Sequence, residues 1–229
     1  QRYAGAVTLT VGSLHLNAVG LLSTRLPDGS DGFSLLVIIT GEFPPVQLGF
    51  GFTLNAVGGL LGVNRGTRVD SLRAGVKNNS VRSVLFPPDP LRDAPALISD
   101  LRTFFPPTAD QHVFGPMAEL GWGTPTIVRA QLGLLLELPS PVRLLILGRV
   151  QAALPDPDAA LLLLQMNALG VVNFDEKTAS VDASLYDSRV AAYTLTGDMA
   201  MRSAWGDDPD FGLSVGGFHP RFDPPPAFP

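Results

Sequence analysis

The chain contains no cysteine. Disulfides and thiolate metal sites are excluded, and the redox compartment leaves no mark in the sequence. Charge is scarce as well. Charged residues make up 16% of the 229 positions, against 45% hydrophobic ones, where about a quarter charged is usual. Little polar side chain is left to clothe a surface, so either the core is large or apolar surface meets a partner. The net charge is −5 and no basic run occurs, which argues against a nucleic-acid partner. The longest unbroken apolar run, Ala159 to Leu164, is far too short for a transmembrane helix. With 3 Tyr and 2 Trp, the aromatic girdles of a transmembrane barrel are missing too. The chain starts at Gln1 with no charged stretch followed by an apolar one, so no signal peptide is visible. A piece of a longer protein is expected.

Catalytic signatures are also missing. No G-x-S-x-G elbow and no phosphate-binding Walker loop occurs. The glycine-rich 49–51 and 58–62 stretches lack a surrounding βα unit and read as bulge or close-packing glycines. His15, His112 and His219 lie on separate elements and read as ordinary strand-end or surface histidines rather than a zinc site. Carboxylates cluster only at Asp175-Glu176 and at Asp207, Asp208 and Asp210. The latter lack the spacing of a calcium loop and read as a solvated turn. Glu119 with Asp182 would be one acid–base pairing across strands, with nothing to single it out. No catalytic residue, cofactor site or metal ligand is assigned, and the chain reads as non-enzymatic.

What is present is a set of long alternating rows. Val128, Ala130, Leu132, Leu134, Leu136 and Leu138 share one parity. After Pro139-Ser140-Pro141, Val142, Leu144, Ile146, Val150, Ala152 and Leu154 share another. Period two with one apolar face means half-buried strands, and the prolines force a turn, so 126–154 is a β-hairpin. Val46, Leu48, Phe50, Phe52, Leu54 and Ala56 form the cleanest alternation and predict one strand. The preceding strand, 33–40, should end at Phe43-Pro44-Pro45, and LPDGSDG (26–32) should be a turn. Val113 to Trp122 reads as a broken strand. Ala159–Phe174, Ala179–Tyr186, Val190–Arg202 and Phe211–Phe218 complete the set. With 24 Gly and 21 Pro, turns and bulges should be frequent. The rows Val46–Ala56, Val128–Leu138 and Val142–Leu154 are expected to share one continuous core. Phe50, Phe52, Leu132, Leu134, Leu144 and Ile146 are the candidates for an apolar face or groove. The string Leu16-Asn17-Ala18-Val19-Gly20 is echoed at 54–58 and 166–170, which is either a repeated strand device or coincidence.

The period changes over 68–105. Val69, Leu72 and Val76 fit a short helix. Asp93 can cap a second, with Pro95 in its first turn. Leu97, Leu101, Phe104 and Phe105 give that helix an apolar stripe and make it the candidate cap over the sheet.

Several strings, GFGFTLNAVGGLLGVNRG (49–66), DLRTFFPP (100–107), FGPMAELGWGTP (114–125), LELPSP (136–141), SLYDSR (184–189) and SVGGFHPRF (214–222), resemble a family of very large, uncharacterised bacterial proteins catalogued only as a domain of unknown function. The resemblance covers nearly the whole chain and carries no known functional residue. It implies a fragment of a longer β-rich protein. The long one-sided strands are also similar in style to the groove-forming repeats of bridge-like lipid transporters, with none of their motifs matched.

The expectation is therefore a mainly antiparallel β domain over 1–222, forming a curled sheet, sandwich or barrel-like core. The two-helix insert interrupts it at 68–105, and 223–229 is a proline-rich tail. The expected function is a structural or assembly module, its partners being other β segments of a longer chain or other copies of itself. The alternative is a β-sheet groove that binds lipid or another apolar ligand.

Overall fold

The computed structural model describes residues 1–25, 31–87, 89–206 and 208–216. Most of the chain goes into one antiparallel sheet. Its strands are β1 (Arg2–Val11), β2 (Leu14–Arg25), β3 (Asp31–Gly49), β4 (Phe52–Arg65), β5 (Pro107–Trp122), β6 (Val128–Leu138), β7 (Arg143–Leu154), β8 (Leu162–Asn173), β9 (Thr178–Leu185), β10 (Ser188–Val190), β11 (Tyr193–Leu195), β12 (Asp198–Ala204) and β13 (Asp210–Val215). Spatial order follows chain order from β1 to β9 and then β12 and β13, while β10 and β11 form a small side hairpin on the start of β8. The edges β1 and β13 do not meet. The fold is one open sheet, neither a sandwich nor a closed barrel.

Helices α1 (Val69–Lys77) and α2 (Ala94–Phe104) sit between β4 and β5. They cover one face of the sheet. Leu72, Val76, Leu97, Leu101, Phe104 and Phe105 are all buried and pack into a core with Leu36, Ile38, Leu60, Val113, Leu135, Leu145, Leu147 and Leu169 from the strands. Asp93 stands at the first position before α2 but makes no side-chain cap. Its carboxylate pairs with Arg92 instead, which holds its pKa below the usual carboxylate range. Glycine makes room for the insert on β6. A Cβ on Gly133 would stand 3.0 Å from Leu85 Cδ2.

Several expectations need correction. The 46–56 row is not one strand. Gly49, Phe50 and Gly51 all have positive φ and turn the chain between β3 and β4, and alternation happens to continue through the turn. Pro44 and Pro45 do not end β3. They lie where the β3–β4 register shifts between Glu42 and Val46, and a bulge there tolerates a missing ladder donor. Strand β5 is continuous, not broken. The 190–202 segment breaks into the β10–β11 hairpin, turning at Ala191 with φ 50°, before β12 begins. Most of the 26–32 turn, Asp207 and residues 217–229, with His219 and the tail, lie outside the described residues.

The largest correction concerns the core. Phe50, Leu132 and Ile146 are 100%, 39% and 39% exposed, so their rows do not share a closed core. On β6 the buried parity is Gln131, Gly133, Leu135 and Glu137, and on β7 it includes Leu145 and Leu147. The helices cover the less apolar face of the sheet.

Leu101 is fully buried, so Leu101→Asp should cost about 4 kcal/mol, the lost burial plus an unpaired charge. Thermal unfolding followed by circular dichroism should show the midpoint falling by roughly 10 °C. An unchanged midpoint would mean that α2 is peripheral.

Candidate apolar face and the polar layer beneath the helices

The uncovered face is built from the strand registers. One cross-strand row runs Leu9, Leu16, Gly41, Val57, Ala118, Leu132, Gly148, Ala168, Ala183, Met199 and Val215. It crosses every strand of the main path and contains no polar residue. The parallel row two residues away includes Val7, Ala18, Ile39, Gly59 and Pro116 on one side of β6, with Leu134, Ile146, Gly170, Val181, Met201 and Leu213 on and beyond it. At the usual strand spacing such a row is about 48 Å wide. Ile39, Val57, Leu61, Phe114, Leu132, Leu134 and Ile146 are each between 39% and 54% exposed. Few soluble surfaces carry a contiguous apolar area of this extent.

The row between these two, on the helix side, reads differently. It runs Thr8, Asn17, Thr40, Gly58, Met117, Gly133, Leu147, Leu169, Asp182, Ala200 and Ser214. Polar groups are gathered here and paired beneath or beside the insert. Asp182 accepts from Arg73 of α1 at 3.0 Å and from Arg202 of β12 at 2.6 Å. Asn167 donates to the Val76 carbonyl and to Asn79 Oδ1, each at 3.1 Å. Glu137, 1% exposed, accepts from the Thr67 amide at 2.8 Å and lies 3.6 Å from Arg143. Glu119 accepts from Gln131 at 2.7 Å. The Asp182, Asn167 and Glu137 contacts fix the helical segment to particular strands, and Glu119 with Gln131 ties β5 to β6, because a buried charge or amide is costly unless met.

Of the sequence candidates, Leu132, Leu134, Leu144 and Ile146 come together on the open face, with Leu134 opposite Ile146 and Leu144 opposite Leu136. Phe52 lies at its margin, its ring 6.4 Å from that of Trp122. Phe50 does not join them. It sits at the β3–β4 turn, fully exposed. Leu97, Leu101, Phe104 and Phe105 lie on the other side of the sheet, where they carry the insert's buried face against the strands. Glu119 and Asp182, on β5 and β9, have separate partners and are not a pair. His15 meets Thr10, and His112 accepts from the Asn64 amide. Among the described residues no group of three potential ligands could hold a metal, and no helix is long and apolar enough to cross a membrane. The echoed Leu-Asn-Ala-Val-Gly string is not one device. Asn17 and Asn167 are buried in mid-strand, whereas Asn55 sits at a register shift and accepts from Thr53. A cleft of about 590 Å³ lies between α1 and the β9–β12–β13 end of the sheet, and its arginines Arg73 and Arg202 are both committed to Asp182.

Sequence reading missed the polar layer. Its signal was there: Gln131, Glu137, Arg143, Asn167 and Asp182 sit on strands in the parity opposite Leu132, Leu134, Leu144, Ile146, Ala168 and Val181.

Because the rows are open, Leu134→Asp should cost under about 1 kcal/mol in the dilute protein. It should also lower binding of a hydrophobic dye such as anilinonaphthalene sulfonate. Denaturant unfolding beside Leu135→Asp, where several kcal/mol are expected, separates the faces. Equal losses would contradict the assignment.

The chain matches, over residues 1–229, the model of a Family of unknown function (DUF6603), and it belongs to that family. No curated protein and no solved structure matches it.

Proposed function

We propose that this member of the DUF6603 family is a non-enzymatic assembly module, a length of β-sheet that other β segments extend. In the isolated protein those segments are other copies of itself. The observation that carries this reading is the state of the two edges. Strand β1, RYAGAVTLTV, is exposed along nearly its whole length and has no charge after Arg2. Strand β13, DFGLSV, is exposed with Phe211, Leu213 and Val215 outward and no charge after Asp210. Edge strands of soluble proteins ordinarily carry lysine, proline or a bulge against pairing. Neither strand has them, and among the described residues each ends the strand path, with one neighbouring strand only.

The open apolar face favours a second reading, in which the sheet carries acyl chains. The supporting observation is the unbroken apolar row from Leu9 to Val215. The two readings part in experiment. Light scattering across a concentration series should show association of the wild-type chain, reduced in Val7→Lys/Leu213→Lys. A monodisperse monomer at every concentration contradicts the assembly reading. Organic extraction and mass spectrometry of the purified protein should yield co-purified lipid if the second reading holds, and a lipid-free protein ends it.

A further inference from the structure

Five arginines gather at one end of the sheet. Arg2 opens β1, Arg25 closes β2, Arg65 closes β4, Arg68 directly precedes α1, and Arg102 lies in the last turn of α2. Two adjoining cavities join them. One, of about 450 Å³, is lined by Arg2, Arg25 and Arg68 with Gln1, Ser23, Pro106 and Pro107. The other, of about 150 Å³, is lined by Arg2, Arg65 and Arg102, with Ser23, Pro107, Tyr3, Leu21 and Leu22. Among the described residues, no carboxylate lines either cavity. Among the described residues, none of the five makes an ion pair. Asp31 stands opposite Arg25 in the β2–β3 register, so the argument rests on the other four.

Arg65 is the second, independent observation. It is 3% exposed. Its Nη1 donates to the Phe105 carbonyl at 2.9 Å, and its Nε has no partner. Burial first, then the charges of Arg102 and Arg2, lower its pKa to about 10. A buried guanidinium with an unmet donor, crowded by like charges, is costly unless an anion completes it. In a chain of net charge −5, a gathering of arginines with no acid among the described lining residues is not set by composition.

We propose that the two cavities form a binding site for a phosphate group, free or esterified, held by Arg2, Arg65, Arg68 and Arg102. Guanidinium forks match phosphate oxygens in pairs. The smaller cavity has room for the phosphate and the larger one for the rest of an ester. Tyr3 and Leu22 face each other across β1 and β2 on the apolar side of the sheet. The phosphate could therefore come from a soluble ester or from the headgroup of a lipid.

The test uses the full chain. Inorganic phosphate is titrated calorimetrically, and the thermal midpoint is followed against phosphate concentration, which must rise if the folded state binds. Arg2→Gln/Arg102→Gln alters two exposed side chains, and its fold is checked by circular dichroism. The wild type should bind, the double variant should bind at least about tenfold more weakly, and the control Arg92→Gln should match the wild type. Flotation with phosphatidylcholine vesicles, with and without phosphatidic acid, names the source. Association that needs phosphatidic acid and is lost in the double variant assigns a lipid headgroup. Phosphate binding without vesicle association assigns a soluble ester. Absence of both, or binding unchanged in the double variant, overturns the proposal.

Discussion

The structure depends on burying the helical insert against one face of a sheet that has two. Leu72, Val76, Leu97, Leu101, Phe104 and Phe105 must leave water, and the strands supply Leu36, Leu135, Leu145, Leu147 and Leu169 opposite them. Each fully buried aliphatic side chain contributes about 1.5–3 kcal/mol. This layer is what makes a single open sheet a folded domain. It also spends the two α-helices of the described residues on one side. Whatever lies on the other parity of every strand is left without a cover from the described residues.

The polar layer decides which side the helices take. Asp182 binds both α1 and β12, Asn167 meets the end of α1, and Glu137 holds the linker before α1. These groups need partners that the open face does not provide. Hydrophobicity alone would turn the leucine rows inward. The need to meet buried charges, together with glycines such as Gly133 that admit the insert, turns them outward. The same choice leaves a face of Leu, Val, Ile, Ala and Gly running from β1 to β13, with no polar side chain in its central row. The open face is the consequence of that one asymmetry, and the edges follow from the sheet not closing.

Much of the fold was legible. The 126–154 hairpin, the long strands, and the stripe of α2 all follow from periodicity, since period two and period 3.6 are properties of the backbone. What escaped was whatever periodicity does not encode. Alternation passes unbroken through the Gly49-Phe50-Gly51 turn, because a short turn can preserve parity. Pro44-Pro45 looked like a stop, because a bulge that tolerates proline has no signature of its own. The facing of the rows escaped because parity says that Leu132 and Leu134 share a side, not which side a distant helix will cover. The arginine end was invisible for the same reason: Arg2, Arg65, Arg68 and Arg102 are spread over a hundred residues and meet only through the sheet.

The central claim is that the helices cover the Leu135 and Leu147 side while the Leu134 and Ile146 side stays open. The chain has no cysteine, so single cysteines report on each face without background. Maleimide labelling rates of Leu134→Cys and Leu135→Cys in the dilute native protein, each compared with its rate in denaturant, make the most direct measurement. The account predicts near-denatured labelling at 134 and protection of a hundredfold or more at 135, a factor that about 2.7 kcal/mol of local opening free energy would give. Protection at 134 with rapid labelling at 135 would contradict it.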